Sequence, residues 1–184
     1  DNSTGVWRYE LSNYSAYKYY KYAIVNNGVT HYVCDIYANA ASPDSIAAQL
    51  VDINAGTDYG TKENYVNPFG NNGTDSKLYS DAIIYEMHIR DWSRAAVADS
   101  TGKFLDIANS DEIINHLKDI GITHVQILPM FDYAQVNSDL NYNWGYNPYH
   151  YNVPEGRYVE YSTGDGIDAV NQMRSIIEKL HKAG

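Results

Sequence analysis

The sequence predicts an α/β chain in which a short antiparallel β-unit precedes two strand–helix units of a parallel sheet. Two observations predict this fold class. The first forty residues are rich in aromatic and β-branched side chains, and part of them alternates apolar and charged positions, as strands do. From residue 81 onward, short apolar runs alternate with stretches in which apolar residues recur every three or four positions, as strands followed by helices do.

Three strands are predicted near the N-terminus. Val6–Leu11 alternates apolar and charged side chains, and Tyr19–Val25 and Val29–Tyr37 have the composition of strands. Asn27-Gly28 lies between the last two and suits a type I′ hairpin turn, because both residues tolerate positive φ. Three strands are few for a complete β-sandwich, so we expect a partial one, with a further short strand at Val51–Ile53.

The C-terminal half is predicted to run strand, helix, strand, helix. Ile83–Met87 and Thr123–Leu128 are the two strands. Ser110 is the expected N-cap of the first helix, which ends at Gly121, and the second helix begins at about Gly166. Parallel strands are usually covered on both faces, so two of them do not make a complete sheet, and we expect the chain to be a fragment of a longer protein.

Composition excludes several classes of partner. The chain has 184 residues and a net charge of −10. Nucleic acids and anionic membrane surfaces are bound through clustered Lys and Arg, so we expect neither as a partner. The single cysteine, Cys34, excludes a disulfide within the chain and is predicted to be buried and inert. No run of eighteen apolar residues occurs, and no membrane insertion is predicted.

The connection at residues 129–165 is far longer than the ~2–6 residues usual between a strand and a helix, which indicates function or disorder. Its many aromatic rings argue against disorder. Rings beside amide side chains suit a sugar, because a ring stacks on the apolar face of a pyranose while amides bind its hydroxyls. The alternative is that the rings form a small core within the loop. The aromatic residues are Phe131, Tyr133, Tyr142, Trp144, Tyr146, Tyr149, Tyr151, Tyr158 and Tyr161.

The same connection resembles a known family. Tyr142–Pro148 reads Tyr-Asn-Trp-Gly-Tyr-Asn-Pro and, with His150–Gly156 after it, is similar to the signature region of type I pullulanases. Ile84–Ser93 and Gly121–Pro129 resemble the first two barrel strands of these enzymes.

The resemblance implies a domain plan. Residues 1–55 resemble, more weakly, the last strands of the starch-binding β-sandwich of carbohydrate-binding module family 48. Residues 56–80 would be a linker. Residues 81–184 would be the first two βα units of a TIM (β/α)8 barrel of glycoside hydrolase family 13.

The resemblance implies part of an α-glucan debranching enzyme that hydrolyses α-1,6-glucosidic linkages in pullulan, amylopectin or glycogen with retention. The catalytic carboxylates of the family follow later barrel strands, so no catalytic residue is assigned here and the chain alone is expected to be inactive. No cofactor is required, and a structural calcium ion is left open for the longer enzyme. An extracellular or cell-surface location is expected, with an α-glucan as the partner.

Three residues of the motif are substrate-binding candidates. Tyr146 matches the family tyrosine that stacks on the sugar in the −1 subsite. Trp144 and Asn143 belong to the same motif and are assigned contact or loop-shaping roles. Asn147 stands where the family usually has an aspartate, which puts in doubt whatever ion pair that aspartate makes.

Other residues and other functions remain open. His88 is interpreted as a packed histidine rather than a substrate contact, and His116 and His124 lack metal-ligand spacing. Asp99 and Asp106 flank Gly102, where calcium binding is an alternative. The chain could instead belong to a noncatalytic glucan-binding protein, or to an isoamylase or branching-type member of the same superfamily.

Overall fold

The structure, a computed structural model, describes residues 3–53, 78–96, 100, 102–162 and 164–184. The predicted linker at residues 56–80 lies outside the described residues except for its last three positions, and Asp99 lies outside them as well. The described residues form a mixed α/β structure of strand pairs and helices.

The predicted hairpin is confirmed. Strands β2 (Tyr22–Asn26) and β3 (Val29–Val33) pair antiparallel, with Asn26 opposite Val29. Asn27 and Gly28 have φ of 49° and 76°, the two positive values that a type I′ turn requires. All ten strand residues of the hairpin are exposed.

The other N-terminal predictions are wrong in detail. Residues 6–11 form no strand, and the side chain of Trp7 is 97% exposed. Alternating side chains alone do not make a strand, because its backbone also needs a paired neighbour. The predicted strand at Val51–Ile53 is absent; instead β4 (Ala48–Gln49) pairs antiparallel with β1 (Tyr19–Tyr20).

The strand–helix units are confirmed. Strand β5 (Ile84–Met87) pairs in parallel with β6 (His124–Ile127). Between them, helix α3 (Asp111–Asp119) begins where the Ser110 hydroxyl accepts a hydrogen bond from the amide of Ile113 at 3.2 Å. Gly121, with φ of 74°, follows its end.

The described residues contain three α-helices besides α3. Helix α4 (Gly166–Ala183) begins at the predicted residue. Helices α1 (Ile89–Ala96) and α2 (Phe104–Ala108) were not predicted, because neither is long enough to show a clear apolar period. None of the helices in the described part of the chain is long and apolar enough to cross a membrane.

The main core lies between the β5–β6 pair and the helices. It is built from apolar side chains of every one of these elements and is almost wholly shielded from solvent. Its most deeply buried members are Met87, Ile89, Phe104, Ile107, Ile113 and Ile176.

A second, smaller apolar cluster holds the N-terminal unit against the rest. It consists of Ala38, Ala41, Ala48 and Val153. Gly166, the first residue of α4, lies so close to Ala41 that a Cβ on it would come within 2.0 Å of the Ala41 carbonyl oxygen. Only glycine permits this approach.

The long connection is more ordered than its composition indicates. It contains strands β7 (Phe131–Tyr133) and β8 (Pro148–Pro154), which pair antiparallel with register shifts, and a turn of 3₁₀-helix at Gly156–Tyr158. Sequence reasoning treated this stretch as irregular, because its polar and aromatic residues do not alternate regularly. The β7–β8 pair brings together the two ends of the segment between its strands.

Candidate functional site

The residues between β7 and β8 lie at the carboxyl ends of the two parallel strands. We call residues 142–146 the aromatic segment. It contacts His88, which follows β5, and Pro129, which follows β6: the Nε2 of His88 is 3.1 Å from the Asn143 carbonyl oxygen, and Gly145 packs on Pro129. Parallel α/β proteins place their ligand sites at this edge.

Trp144 and Tyr146, two of the three binding candidates, present their rings to solvent. Their side chains are 61% and 65% exposed. Trp144 is supported edge-on by the ring of Tyr142, with centroids 5.7 Å apart and planes at 88°. The hydroxyl of Tyr142 donates a hydrogen bond to Asp91 Oδ2 at 3.1 Å. The segment therefore exposes two aromatic rings, and one of them, Trp144, is supported by Tyr142.

The side chain of Asn143, the third candidate, is used within the protein. Its Nδ2 donates to Gln135 Oε1 at 2.6 Å, and its Oδ1 accepts from the amide of Gly145 at 2.8 Å. The second bond closes a turn of the Asx type, in which an asparagine side chain replaces a backbone acceptor. Asn143 thus shapes the segment, and this geometry favours the loop-shaping role over direct contact with a ligand.

Gly145 is required by two independent features of the segment. Its φ is 86°, in the region that side-chain-bearing residues rarely adopt. A Cβ at this position would lie 2.8 Å from the Pro129 carbonyl oxygen and 3.3 Å from the Tyr133 ring. The absence of a side chain therefore lets the segment rest directly on the end of β6.

His88 anchors the segment from below. It is buried, its Nε2 lies 3.2 Å from the Tyr158 hydroxyl as well as near Asn143, and its ring packs against Tyr142 with centroids 5.1 Å apart. Because the Asn143 carbonyl oxygen only accepts, Nε2 carries the proton in this arrangement. These contacts match the interpretation of His88 as a packed histidine.

Arg157 ties the start of the segment to β7, and sequence reasoning missed it. Its Nη1 donates to the Tyr133 hydroxyl at 3.1 Å and to Gln135 Oε1 at 2.9 Å, while its Nη2 donates to the Asn141 carbonyl oxygen at 2.5 Å. No signal in the sequence distinguishes this arginine from a solvated one, because its partners lie 16 to 24 residues away.

Glu155 is a fully buried carboxylate at the end of β8. Its oxygens accept hydrogen bonds from the amides of Tyr133, at 3.1 Å, and Arg157, at 2.8 Å. Burial raises its pKa to about 7. Perturbed carboxylates often mark catalytic sites, but a group closed off from solvent cannot reach a polysaccharide. We therefore interpret Glu155 as a structural clamp between β7 and the turn after β8.

This burial predicts a pH-dependent stability. The folded-state pKa of Glu155, about 7, lies above its ordinary value of 4.5. The neutral carboxyl is therefore favoured in the folded state, and its contribution to the free energy of unfolding is fully present below pH 4.5 and is lost as the pH rises through 7. The loss is at most roughly 3 kcal/mol. Urea unfolding followed by tryptophan fluorescence should show lower stability at pH 8 than at pH 5.

Glu155→Gln is the control for this dependence, since it removes the titrating group. It should flatten most of the change, while Asp132, whose pKa is also raised by burial, leaves a smaller remainder of the same sign. Equal stability of the unmodified chain at both pH values would show that the Glu155 carboxyl is not buried in this way.

The expectation that the rings of the connection face a sugar is wrong for Tyr133 and Tyr158, and Tyr161 also packs against the main core. Tyr133 and Tyr158 are buried in the main core, with hydroxyls 3.4 Å apart. Tyr149 and Tyr151 are exposed on β8. The connection therefore contributes some rings to the core and leaves others exposed above it.

The remaining candidates have structural contacts. His116 packs against the ring of Trp92, and His124 Nδ1 lies 2.8 Å from the Thr123 hydroxyl. Asp106 accepts a hydrogen bond from the Lys103 amide at 2.8 Å at the start of α2. Cys34 is half-buried, and burial raises the pKa of its thiol. The described residues contain no group of three or more side chains that could hold a metal ion.

Comparison with known proteins places this geometry in context. No family model matches the chain. It is 30% identical over 198 residues to pullulanase A of Streptococcus pneumoniae serotype 2 (strain D39), covering 95% of this chain and 15% of that protein. It is 34% identical over 117 residues to the pullulanase of Bacillus subtilis (strain 168), covering 56% of this chain and 16% of that protein.

A solved structure shows the same relation in three dimensions. The crystal structure of type I pullulanase from Bacillus subtilis, complexed with maltose, superposes with a TM-score of 0.70 at 27% identity, covering 89% of this chain and 23% of that one. The chain spans only part of these relatives, about 15% of the pneumococcal protein and 23% of the chain in the crystal structure.

Proposed function

We propose that this chain, which belongs to the pullulanase family, is part of an α-glucan debranching enzyme that hydrolyses α-1,6-glucosidic linkages with retention. The observation that carries the proposal is the aromatic segment: a pullulanase-type motif held at the carboxyl ends of two parallel strands, with the Trp144 and Tyr146 rings open to solvent. An extracellular or cell-surface location is part of the proposal.

The domain plan is proposed on the same basis. The parallel β5–β6 pair with α3 between its strands supports the first two βα units of a (β/α)8 barrel in residues 81–184. The β2–β3 hairpin supports the end of a family 48 β-sandwich in residues 1–55, although residues 38–48 pack on β8 and α4 as well.

No residue of this chain is given a catalytic role. A retaining glycosidase needs a nucleophile and an acid about 5–5.5 Å apart on either side of the scissile bond. The strongly perturbed carboxylate near the segment, Glu155, is shut off from solvent. We expect the 184-residue chain to leave pullulan intact, and the product of the complete reading frame to hydrolyse it.

In the proposed site, Tyr146 stacks on a glucose ring, Trp144 provides a neighbouring face, and Asn143 fixes the turn between them. An exposed ring of this size gains roughly 1.5–3 kcal/mol when a ligand covers it, or tenfold or more in affinity. A neutral ring face suits an uncharged sugar polymer, which supports an α-glucan as the partner.

Affinity electrophoresis of the chain in gels containing amylopectin tests this assignment. Tyr146→Ala should weaken retention roughly tenfold, whereas Tyr146→Phe, which keeps the ring, should retain it. Tyr151→Ala is the matched control, because Tyr151 is 70% exposed on β8 outside the segment. Equal loss in Tyr146→Ala and Tyr151→Ala would contradict a specific role for Tyr146.

A noncatalytic glucan-binding function is the second candidate. It is favoured by the combination of exposed rings and a buried Glu155, which together give a surface that binds without acting on its ligand. The two candidates separate when the product of the complete reading frame is assayed. Amylopectin retention without pullulan hydrolysis by that product would favour the binding function.

A further inference from the structure

A cleft of about 320 Å³ beside the aromatic segment concentrates positive charge in an acidic chain. We call it the basic cleft; Arg90, Arg94, Lys103 and Arg157 line it. These are four of 13 Lys and Arg residues in a chain of net charge −10. The described residues that line it include no carboxylate, and none of the four cations forms an ion pair with a carboxylate in the described part of the chain.

Two of these cations are held by neutral acceptors. The Nζ of Lys103 donates to the carbonyl oxygens of Arg157, at 2.8 Å, and Val159, at 3.1 Å. The guanidinium of Arg157 bonds a carbonyl, an amide oxygen and a hydroxyl, as described above. Neutral acceptors fix the position of a cation without cancelling its charge, so the cleft keeps a positive potential.

Two of the three carboxylates that act on Lys103 are engaged by other donors. Glu160, Asp106 and Glu155 act on Lys103 through space, but burial is the larger influence and lowers the pKa of Lys103. Asp106 accepts bonds from the Ser100 hydroxyl and the Lys103 amide, and Glu155 accepts from two backbone amides. None of the three is among the described residues that line the cleft.

Arg90 is placed in the cleft by a close backbone contact. A Cβ on Gly102 would lie 2.7 Å from Arg90 Cγ, so the glycine lets the loop press on the arginine stem. The Arg90 guanidinium lies 5.8 Å from the centroid of the Tyr142 ring. Its Nη1 is buried and has no hydrogen-bond partner among the described residues. A buried donor without an acceptor is costly, so the Arg90 guanidinium has hydrogen-bonding capacity that the described residues leave unused.

We propose that the basic cleft binds an oxyanion of the phosphate type, either free or as a monoester on a sugar. Guanidinium groups match the geometry of phosphate oxygens through paired N–H donors. At about 320 Å³ the cleft is small for a polyanion such as nucleic acid, and it has room for one phosphate group with or without a sugar attached. The sugar-borne form rests on the proposed glucan function, because the Tyr142 ring lies next to both Arg90 in the cleft and Trp144 in the aromatic segment.

Calorimetric titration of the 184-residue chain tests the proposal, with inorganic phosphate, glucose 6-phosphate and glucose at an ionic strength matched with sodium chloride. We expect saturable binding of the two phosphates and none of glucose. Tighter binding of glucose 6-phosphate than of inorganic phosphate assigns the site to a sugar ester; equal or weaker binding assigns it to the free anion. No saturable binding of either phosphate overturns the proposal.

Three single-arginine variants provide the matched comparison. Arg94→Gln and Arg90→Gln should each weaken phosphate binding about tenfold, the effect of removing one hydrogen bond to a charged group. Arg8→Gln, which removes an equal charge from an exposed N-terminal position, should leave it unchanged. Equal weakening by Arg8→Gln and Arg94→Gln would overturn the proposal, because it would mean screening by net charge alone.

Two features keep the result interpretable. Arg94 is exposed, so Arg94→Gln should fold even if Arg90→Gln does not, and circular dichroism checks both. Inorganic phosphate contains no sugar, whereas the amylopectin assay contains an essentially neutral polymer. Failure of anion binding is therefore distinguishable from failure of the proposed glucan function.

Discussion

Gly145→Ala should abolish retention on amylopectin and lower the free energy of unfolding by roughly 4 kcal/mol. Two costs add: the strain of an alanine at φ of 86°, about 1–3 kcal/mol, and overpacking against Pro129 and Tyr133, about 1–3 kcal/mol. The segment must lift from the end of β6 to relieve the contact, and the Trp144 and Tyr146 rings then lose their positions.

Gly121→Ala is the matched control for Gly145→Ala. Gly121 has a similar φ of 74°, but an added Cβ would meet nothing within 4 Å. This variant should be destabilised only by its backbone strain, without overpacking, and it should keep full retention on amylopectin. Gel retention and urea unfolding, measured on both variants, separate the two costs. Equal behaviour of the two variants would contradict the close packing of Gly145 on Pro129.

Phe104→Ala should cost roughly 4 kcal/mol of stability, the usual range for removing a buried phenylalanine. Phe104 is fully buried on α2 and packs edge-on against Tyr158, with centroids 5.5 Å apart. Because Tyr158 contacts His88, and His88 holds Asn143, the cavity should also loosen the aromatic segment. The expected result is a lower urea midpoint together with weaker retention on amylopectin.

Tyr32→Ala is the control for this core substitution. Tyr32 lies exposed on β3, and its removal should change stability by no more than about 0.5 kcal/mol. Phe104→Leu, which fills part of the space, should fall between the two. A Phe104→Ala variant as stable as Tyr32→Ala would contradict the packing of α2 beneath Tyr158.

Several elements could be predicted because their signals are local. The turn at Asn27-Gly28, the cap at Ser110 and the stop at Gly121 act through their own backbone conformation or through a neighbour three residues away. Helix α4 shows its apolar stripe over five turns, which makes the period clear. In each case the information lies within one element.

Other features depend on residues that are far apart in the chain. The alternating residues 6–11 predict a strand, yet a strand also needs a partner that the sequence does not name. The β7–β8 pair escaped prediction because register shifts break its alternation. Arg157 and Gln135 gained their roles only when folding brought them to Asn141 and Asn143.

The sequence by itself determined the class of elements, the acidic charge and the motif that marks residues 142–146. The tertiary structure decided which rings are buried and which are open, because burial depends on what packs above a residue and not on its type. Tyr133 and Tyr158 became core, and Tyr146 remained at the surface. It also decided that Lys103 and Arg157 join Arg90 and Arg94 in one cleft, since residues so far apart along the chain are brought together only by folding.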